Sequence, residues 1–213
     1  MRSDISDDQR ALTIDDANLP VVDLSGLFTG SEEDKVKVAA ALGDAARTSG
    51  FFYITNHGIP EEQIDALFAA SKEFHEKPRN FKMKYWSGFT THHRGYVPFE
   101  ENGADFPKSI NFNEAWDMSY EAPADHPDYL AKWRMTGPNI WPDIPGWQDT
   151  VSGYYDAAFN LGLRLLDALA MELGVPTEEL TQHITYPTSQ LRLLRYLEND
   201  MPATKEIVGI AAH

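Results

Sequence analysis

One apolar stripe limits the fold of this chain more than any other feature. Val151, Tyr154, Tyr155, Ala158, Leu161, Gly162, Leu165, Leu166, Leu169 and Leu173 keep a 3.6-residue period and predict a helix over 147–173. Gly174 and Pro176 end it, since glycine accepts the left-handed turn after a helix and proline cannot continue one. At ~1.5 Å per residue the helix spans roughly 40 Å, the width of a domain. Its stripe is expected to be core.

Shorter elements flank it. Residues 1–18 are polar and expected to be flexible. Leu19-Pro20-Val21-Val22-Asp23-Leu24 reads as a first strand, with Pro20 tolerated only at its start or at a sheet edge. Ser31 and Asp34 form a capping-box start for a helix over about 31–48, with Val36, Ala39, Ala40, Gly43 and Ala46 as a narrow stripe of mostly small residues. Gly50-Phe51-Phe52-Tyr53-Ile54-Thr55-Asn56 is a β-rich run closed by His57-Gly58. Pro60 opens a helix with Ile64, Leu67, Phe68, Ser71 and Phe74 on one face. Periodicity is lost over 87–146, apart from short strands near 95–97 and 114–118. A segment of that length is usually functional or wraps a core. A strand over 190–197 and a last apolar run to His213 close the chain. The order predicts an α+β protein whose sheet is incomplete in this chain.

Composition excludes several classes of function. With 18 basic and 33 acidic residues the net charge is −15, which argues against a nucleic-acid backbone or an anionic membrane as partner. An anionic ligand would need a local basic pocket, for which Arg192, Arg195 and Arg94 are candidates. The chain has no cysteine, so disulfides, zinc–thiolate sites and thiol nucleophiles are impossible. No run approaches the ~18 apolar residues of a membrane span, and the acidic start lacks the apolar stretch of a secretory signal. A cytoplasmic protein is expected, with its oligomeric state left open.

Six segments in order resemble one family. Leu19-Pro20-Val21-Val22-Asp23-Leu24 is similar to the opening of the isopenicillin N synthase-like Fe(II)/2-oxoglutarate-dependent dioxygenases, and Gly50 through Pro60 to their "GFFyvxNHGi". Phe74-His75-Glu76-Lys77-Pro78 with Lys82-Met83-Lys84-Tyr85 resembles "FFxLPxeeKxky", Arg94-Gly95-Tyr96 "rGY", and Asn113-Glu114-Ala115-Trp116-Asp117 "KEsfD". Arg192-Leu193-Leu194-Arg195-Tyr196 falls where the family has the "LRxxxY" strand ahead of its first iron ligand.

The resemblance implies a double-stranded β-helix, or jelly roll, with N-terminal helices packed against it. It also implies Fe(II), 2-oxoglutarate as co-substrate, O2 and a small-molecule substrate. The family holds iron with a His-x-Asp pair and a distal histidine, a triad that leaves positions open for co-substrate and O2. Residues two apart on a strand point the same way, which is why the pair has that spacing. His213 is the implied first ligand, and no residue of this chain follows it. The implied organisation is a flexible 1–18, an N-terminal region over 19–146, and a bracing helix with the first barrel strands over 147–213. The segment alone is expected to be inactive.

Other residues acquire implied roles. Tyr196 and Arg192 share a strand face, and the family's tyrosine reaches a co-substrate or substrate carboxylate. An inward Arg192 needs a carboxylate partner, which substrate, co-substrate or a structural aspartate could supply. Leu194 stands where many members have asparagine. Arg195 points the other way and is expected to be structural. Arg94, Tyr96 and Phe99 fall in the segment lining the substrate entrance. His57 is expected to serve a turn, and His92 and His93 a loop at the pocket mouth. Two alternatives remain: an oxidase of the same family that uses no 2-oxoglutarate, and a non-catalytic binding or structural module.

Overall fold

Alternation, capping and turn residues set the elements in chain order. The structure, a computed structural model, describes residues 19–99, 110–111, 113–182, 184, 186–197 and 207–208. β1 (Val21–Asp23) leads through α1 (Ser25–Thr29) into α2 (Glu32–Thr48) and β2 (Tyr53–Thr55). α3 (Glu61–His75), α4 (Arg79–Lys82) and two 3-10 turns lead to β3 (Gly95–Val97). Then come β4 (Ile110–Asn111), β5 (Asn113–Ser119), α5 (Pro127–Leu130), α6 (Trp147–Leu173), α7 (Thr177–Thr181), β6 (Gln190–Tyr196) and β7 (Ile207–Val208). The fold mixes helix and sheet, and among the described residues no sheet closes into a barrel. Two compact units divide the chain: Met1–Ile59 with Ala158–Ile184, and Pro60–Ala157 with Thr185–His213.

In the first unit β1 and β2 pair in parallel, with Val22 opposite Ile54. Ser31 caps α2 as expected: its hydroxyl accepts from the Asp34 N–H, and the Asp34 carboxylate accepts from the Ser31 N–H. The buried face of α2 differs from expectation. Val38, Ala39, Leu42, Gly43 and Ala45 turn inward, while Val36, Ala40 and Ala46 are exposed. Burying Val38 and Leu42 removes more apolar area from water than burying Val36 and two alanines. Gly43 is needed for close approach, because a Cβ there would lie 2.4 Å from Glu172 Cγ. Arg47 donates to the same Glu172 carboxylate at 2.8 Å.

The second unit is built on an antiparallel sheet of order β3-β5-β6. All seven residues of the central β5 are buried. One face of the sheet carries an aromatic core. Phe74 meets Trp116 edge-on at 4.8 Å, Trp116 meets Trp147 at 5.1 Å, and Tyr96, Val151, Tyr155 and Leu193 complete it. The Trp147 indole N–H donates to the Ala70 carbonyl at 2.8 Å, so this large side chain is buried without an orphaned donor. Phe68, expected on the inner face of α3, is exposed, and Leu67, Ala70 and Phe74 take that face. β4 and β7 pair over two residues in parallel.

α6 has the bounds its periodicity predicts, and Gly174 follows it at φ +68°. Its stripe is less buried than expected. Val151 and Tyr155 are buried, Leu161, Leu165, Leu166 and Leu169 half-buried, and Leu173 exposed. No helix among the described residues is long and apolar enough to cross a membrane.

Candidate functional site

The chemistry concentrates on the two-stranded ribbon of β5 and β6. Its register places Glu114 opposite Arg195 and Asp117 opposite Arg192. Successive residues of a strand alternate between faces, so two acids three apart leave opposite sides of the sheet. The two arginines, also three apart, follow them. Each face of the ribbon therefore carries one acid–arginine pair.

On the core face Glu114 is surrounded by donors. The Lys82 ammonium donates to both carboxylate oxygens, at 2.8 and 2.6 Å, and the Tyr96 hydroxyl donates at 2.6 Å. Arg195 stands 3.5 Å away and also donates to the His75 carbonyl at 2.7 Å, the structural role expected of it. Burial pushes the Glu114 carboxyl up, but hydrogen bonds from Lys82 and Tyr96 and the Lys82 charge outweigh it and hold the group below its ordinary value. A buried carboxylate saturated in this way is a brace.

The opposite face is polar and less satisfied. Asn113, Ala115, Asp117 and Ser119 alternate along β5, facing Tyr196, Leu194, Arg192 and Gln190 of β6. Asp117 Oδ1 lies 3.2 Å from Arg192 Nε, yet that buried oxygen makes no hydrogen bond. The contact is therefore ionic. Burial pushes the Asp117 carboxyl up to about 6, against the opposing charges of Arg192 and Arg94. The Ser119 hydroxyl is also buried without a partner. Arg192 and Tyr196 rise from the same face, their side chains partly open to solvent. A guanidinium and a phenol on one exposed face suit a carboxylate ligand.

A pinned loop borders this face. The buried Arg94 guanidinium donates to the carbonyls of His92 (2.7 Å), His93 (3.2 Å) and Met135 (2.7 Å). His93 and Met135 both hold left-handed backbone, at φ +55° and +70°. Such strain persists only where surrounding contacts enforce it. His92 Nε2 reaches the Pro138 carbonyl at 3.0 Å, and the Asn139 side chain brackets the Ser119 backbone at 3.0 and 2.8 Å. Gly95 sits at φ +103°, where a Cβ would meet the Tyr85 carbonyl oxygen at 2.3 Å. This explains a glycine between Arg94 and Tyr96.

The structure thus separates the residues singled out from sequence. Arg192 and Tyr196 lie together on the polar face. Tyr96 belongs to the core face and serves Glu114. Arg94 serves the loop, and Phe99 is half-buried beyond β3. His57 Nδ1 accepts from the Ile59 N–H at 3.2 Å, the turn role expected. His213 lies outside the described residues, and among those described no group of three His, Asp or Glu could hold a metal ion. Sequence reasoning missed Lys82 and Asp117 as partners. The visible signal was two acids spaced three apart in one strand, matched by two arginines at the same spacing.

Comparison with known proteins shows what the chain as a whole is similar to. A family model described as non-haem dioxygenase in morphine synthesis N-terminal matches residues 19–144. The chain is 30% identical over 209 residues to kihadalactone A synthase of Citrus sinensis, covering 94% of this chain and 61% of that enzyme. It is 30% identical over 200 residues to a 2-oxoglutarate-dependent dioxygenase of Penicillium crustosum, covering 90% and 60%. A crystal structure of a 2OG-Fe(II) oxygenase family protein from Caulobacter crescentus superposes with a TM-score of 0.74 at 26% identity, covering 87% of this chain and 58% of that one. The chain spans 60–61% of the length of these two enzymes.

Proposed function

The chain belongs to the non-haem dioxygenase family, and from that premise we propose that the protein couples oxidative decarboxylation of 2-oxoglutarate to oxidation of a small organic molecule. The observation that carries this reading is the polar face of the β5–β6 ribbon, which presents Arg192 and Tyr196 together beside a buried acid. We read the fold as the jelly roll of this family and His213 as one of its iron ligands, in a cytoplasmic setting. Iron(II) with 2-oxoglutarate and O2 would supply the oxidising chemistry.

The chain's own residues bind and orient. Arg192 offers a guanidinium and Tyr196 a hydroxyl to a carboxylate, the arrangement that fixes a planar anion most strongly. Phe99 provides apolar surface for substrate at the entrance. Arg94 shapes that entrance by clamping the backbone at His92, His93 and Met135. Tyr96 acts from behind, through Glu114, by keeping β3 and β5 in place. Holding reactants in one geometry is the protein's share of the catalysis.

The test is anaerobic addition of Fe(II) and 2-oxoglutarate to the purified full-length protein, followed by exposure to air with ascorbate. A 2-oxoglutarate-dependent visible absorption band and formation of succinate are expected. Absence of both would contradict the reading.

A further inference from the structure

Three of the five tryptophans of this chain touch in series. Trp116, fully buried on β5, meets Trp147 edge-on at a centroid distance of 5.1 Å, and Trp147 meets Trp141 at 6.2 Å. Trp141 is only half-buried, so the series runs from the centre of the sheet to solvent. Packing alone gives no reason for an indole at Trp116. Its N–H is buried without a hydrogen-bond partner, a cost that phenylalanine at the same place would avoid. What an indole offers over a phenyl ring is easier one-electron oxidation. The surroundings of the indole protons suit such a step. The Trp116 N–H makes no hydrogen bond, and the Trp147 N–H meets only the neutral Ala70 carbonyl. An electron can therefore leave either ring while the proton stays in place. At Trp141, partly open to solvent, the proton can leave to water.

We propose that Trp116, Trp147 and Trp141 form a relay that carries an oxidising equivalent from the polar face of the β5–β6 ribbon to the surface, protecting the site when no substrate is there to be oxidised. The inference rests on the reading of the protein as an iron oxygenase working on that face. Trp116 stands between Ala115 and Asp117, whose side chains take the polar face, so the relay begins one strand's thickness away from it. The steps balance as one electron and one proton. Trp116 gives one electron to the oxidised iron centre, which is thereby reduced. Trp147 refills Trp116, and Trp141 refills Trp147. The oxidised Trp141 then loses its indole proton to water, and a hydrogen-atom donor such as ascorbate restores it. Phe74 also touches Trp116 and Trp147, at 4.8 and 5.8 Å, but its phenyl ring is too hard to oxidise to take part. Tyr85 meets Trp116 at 6.2 Å and is the competing exit.

The experiment lets the purified full-length protein with Fe(II) and 2-oxoglutarate turn over in air without substrate. Catalase is present to remove peroxide, and oxidised side chains are mapped by peptide mass spectrometry. In wild type, oxidised indole should collect at Trp141 and disappear when ascorbate is added. Trp147→Phe interrupts the relay, so oxidation of Trp141 should be lost while the initial rate of succinate formation is unchanged. Trp141→Phe alters only the half-buried end and serves should Trp147→Phe fold poorly. In that variant oxidation should stop at Trp147 and Trp116, and the protein should inactivate after fewer turnovers than wild type. Trp141 oxidation that persists in Trp147→Phe, oxidation at Tyr85 in place of Trp141, or intact Trp147 and Trp116 in Trp141→Phe overturns the relay. So does succinate formation with no oxidised Trp141 in wild type, and the reading of the protein as an oxygenase then stands. If wild type forms no succinate, that reading itself fails and the proposal falls with it.

Discussion

Glu114 and Asp117 leave opposite faces of one strand, each opposite an arginine of the next, yet one carboxylate is held ionised and the other is pushed toward its neutral form. Both are nearly closed to solvent and both have a cation nearby, but Asp117 lies deeper among protein atoms, so desolvation weighs more on it. Hydrogen bonding widens the difference. Glu114 receives an ammonium on both oxygens and a phenol on one, while Asp117 Oδ1 receives none. Desolvation is offset only when donors replace the lost water, and a charge at 3.2 Å without such a bond does not suffice. The two faces of one ribbon therefore serve different ends. One fastens the sheet to α4, and the other leaves a poorly satisfied acid beside an exposed arginine.

The largest effect should come from breaking the saturated face. Lys82→Met leaves Glu114 buried without its main partner and is expected to cost roughly 3–5 kcal/mol of stability in denaturant unfolding. A loss below about 1 kcal/mol would mean that Glu114 is not braced as described. The next effect has the opposite sign. The folded state raises the Asp117 midpoint above its unfolded value, so it binds more protons than the unfolded chain between about pH 4 and 6. Stability is therefore lost as pH rises through that window, and the penalty is complete above it. Asp117→Asn should stabilise the protein at pH 8 by an amount on the order of 2 kcal/mol and change little at pH 4. Equal effects at both pH values would erase the contrast between the faces. Tyr96→Phe removes one charge-assisted bond to Glu114 and should destabilise by about 1.5–3 kcal/mol, with the Lys82 pair still present. The smallest effect is expected outside the ribbon. Ser31→Ala should cost about 1 kcal/mol through loss of the α2 cap, with no change in how either carboxylate titrates.

Much of this architecture is legible in the chain itself, for identifiable reasons. α6 shows its period over its whole length, and Ser31 with Asp34 announces α2. Alternation marks β6, and the family-like segments run in order through β1, β2, β3 and β5. Periodicity does not decide which of two candidate faces wins when both are weakly apolar. Val38 and Leu42 took the α2 core from Val36 and Ala40, and Phe68 was left exposed on α3. The partners of single polar groups were harder still. Lys82 meets Glu114 across 32 residues, and Arg94 meets the Met135 carbonyl across 41, so neither contact exists until the chain is folded. Asp117 is the instructive case. Arg192 was expected to need a carboxylate, with a structural aspartate among the choices, and antiparallel register supplies that aspartate directly opposite.

The account turns on one strand holding two acids in different states, and titration of both side-chain carboxyls by carbon-detected NMR tests this most directly. With the full chain between pH 3 and 8, the Glu114 carboxyl should remain ionised to below its ordinary range, and the Asp117 carboxyl should titrate near 6. Arg192→Gln should move the Asp117 midpoint higher and leave Glu114 unmoved. Two midpoints in the ordinary carboxylate range, or an Asp117 midpoint below that of Glu114, would contradict the division of the ribbon into a braced face and a working face.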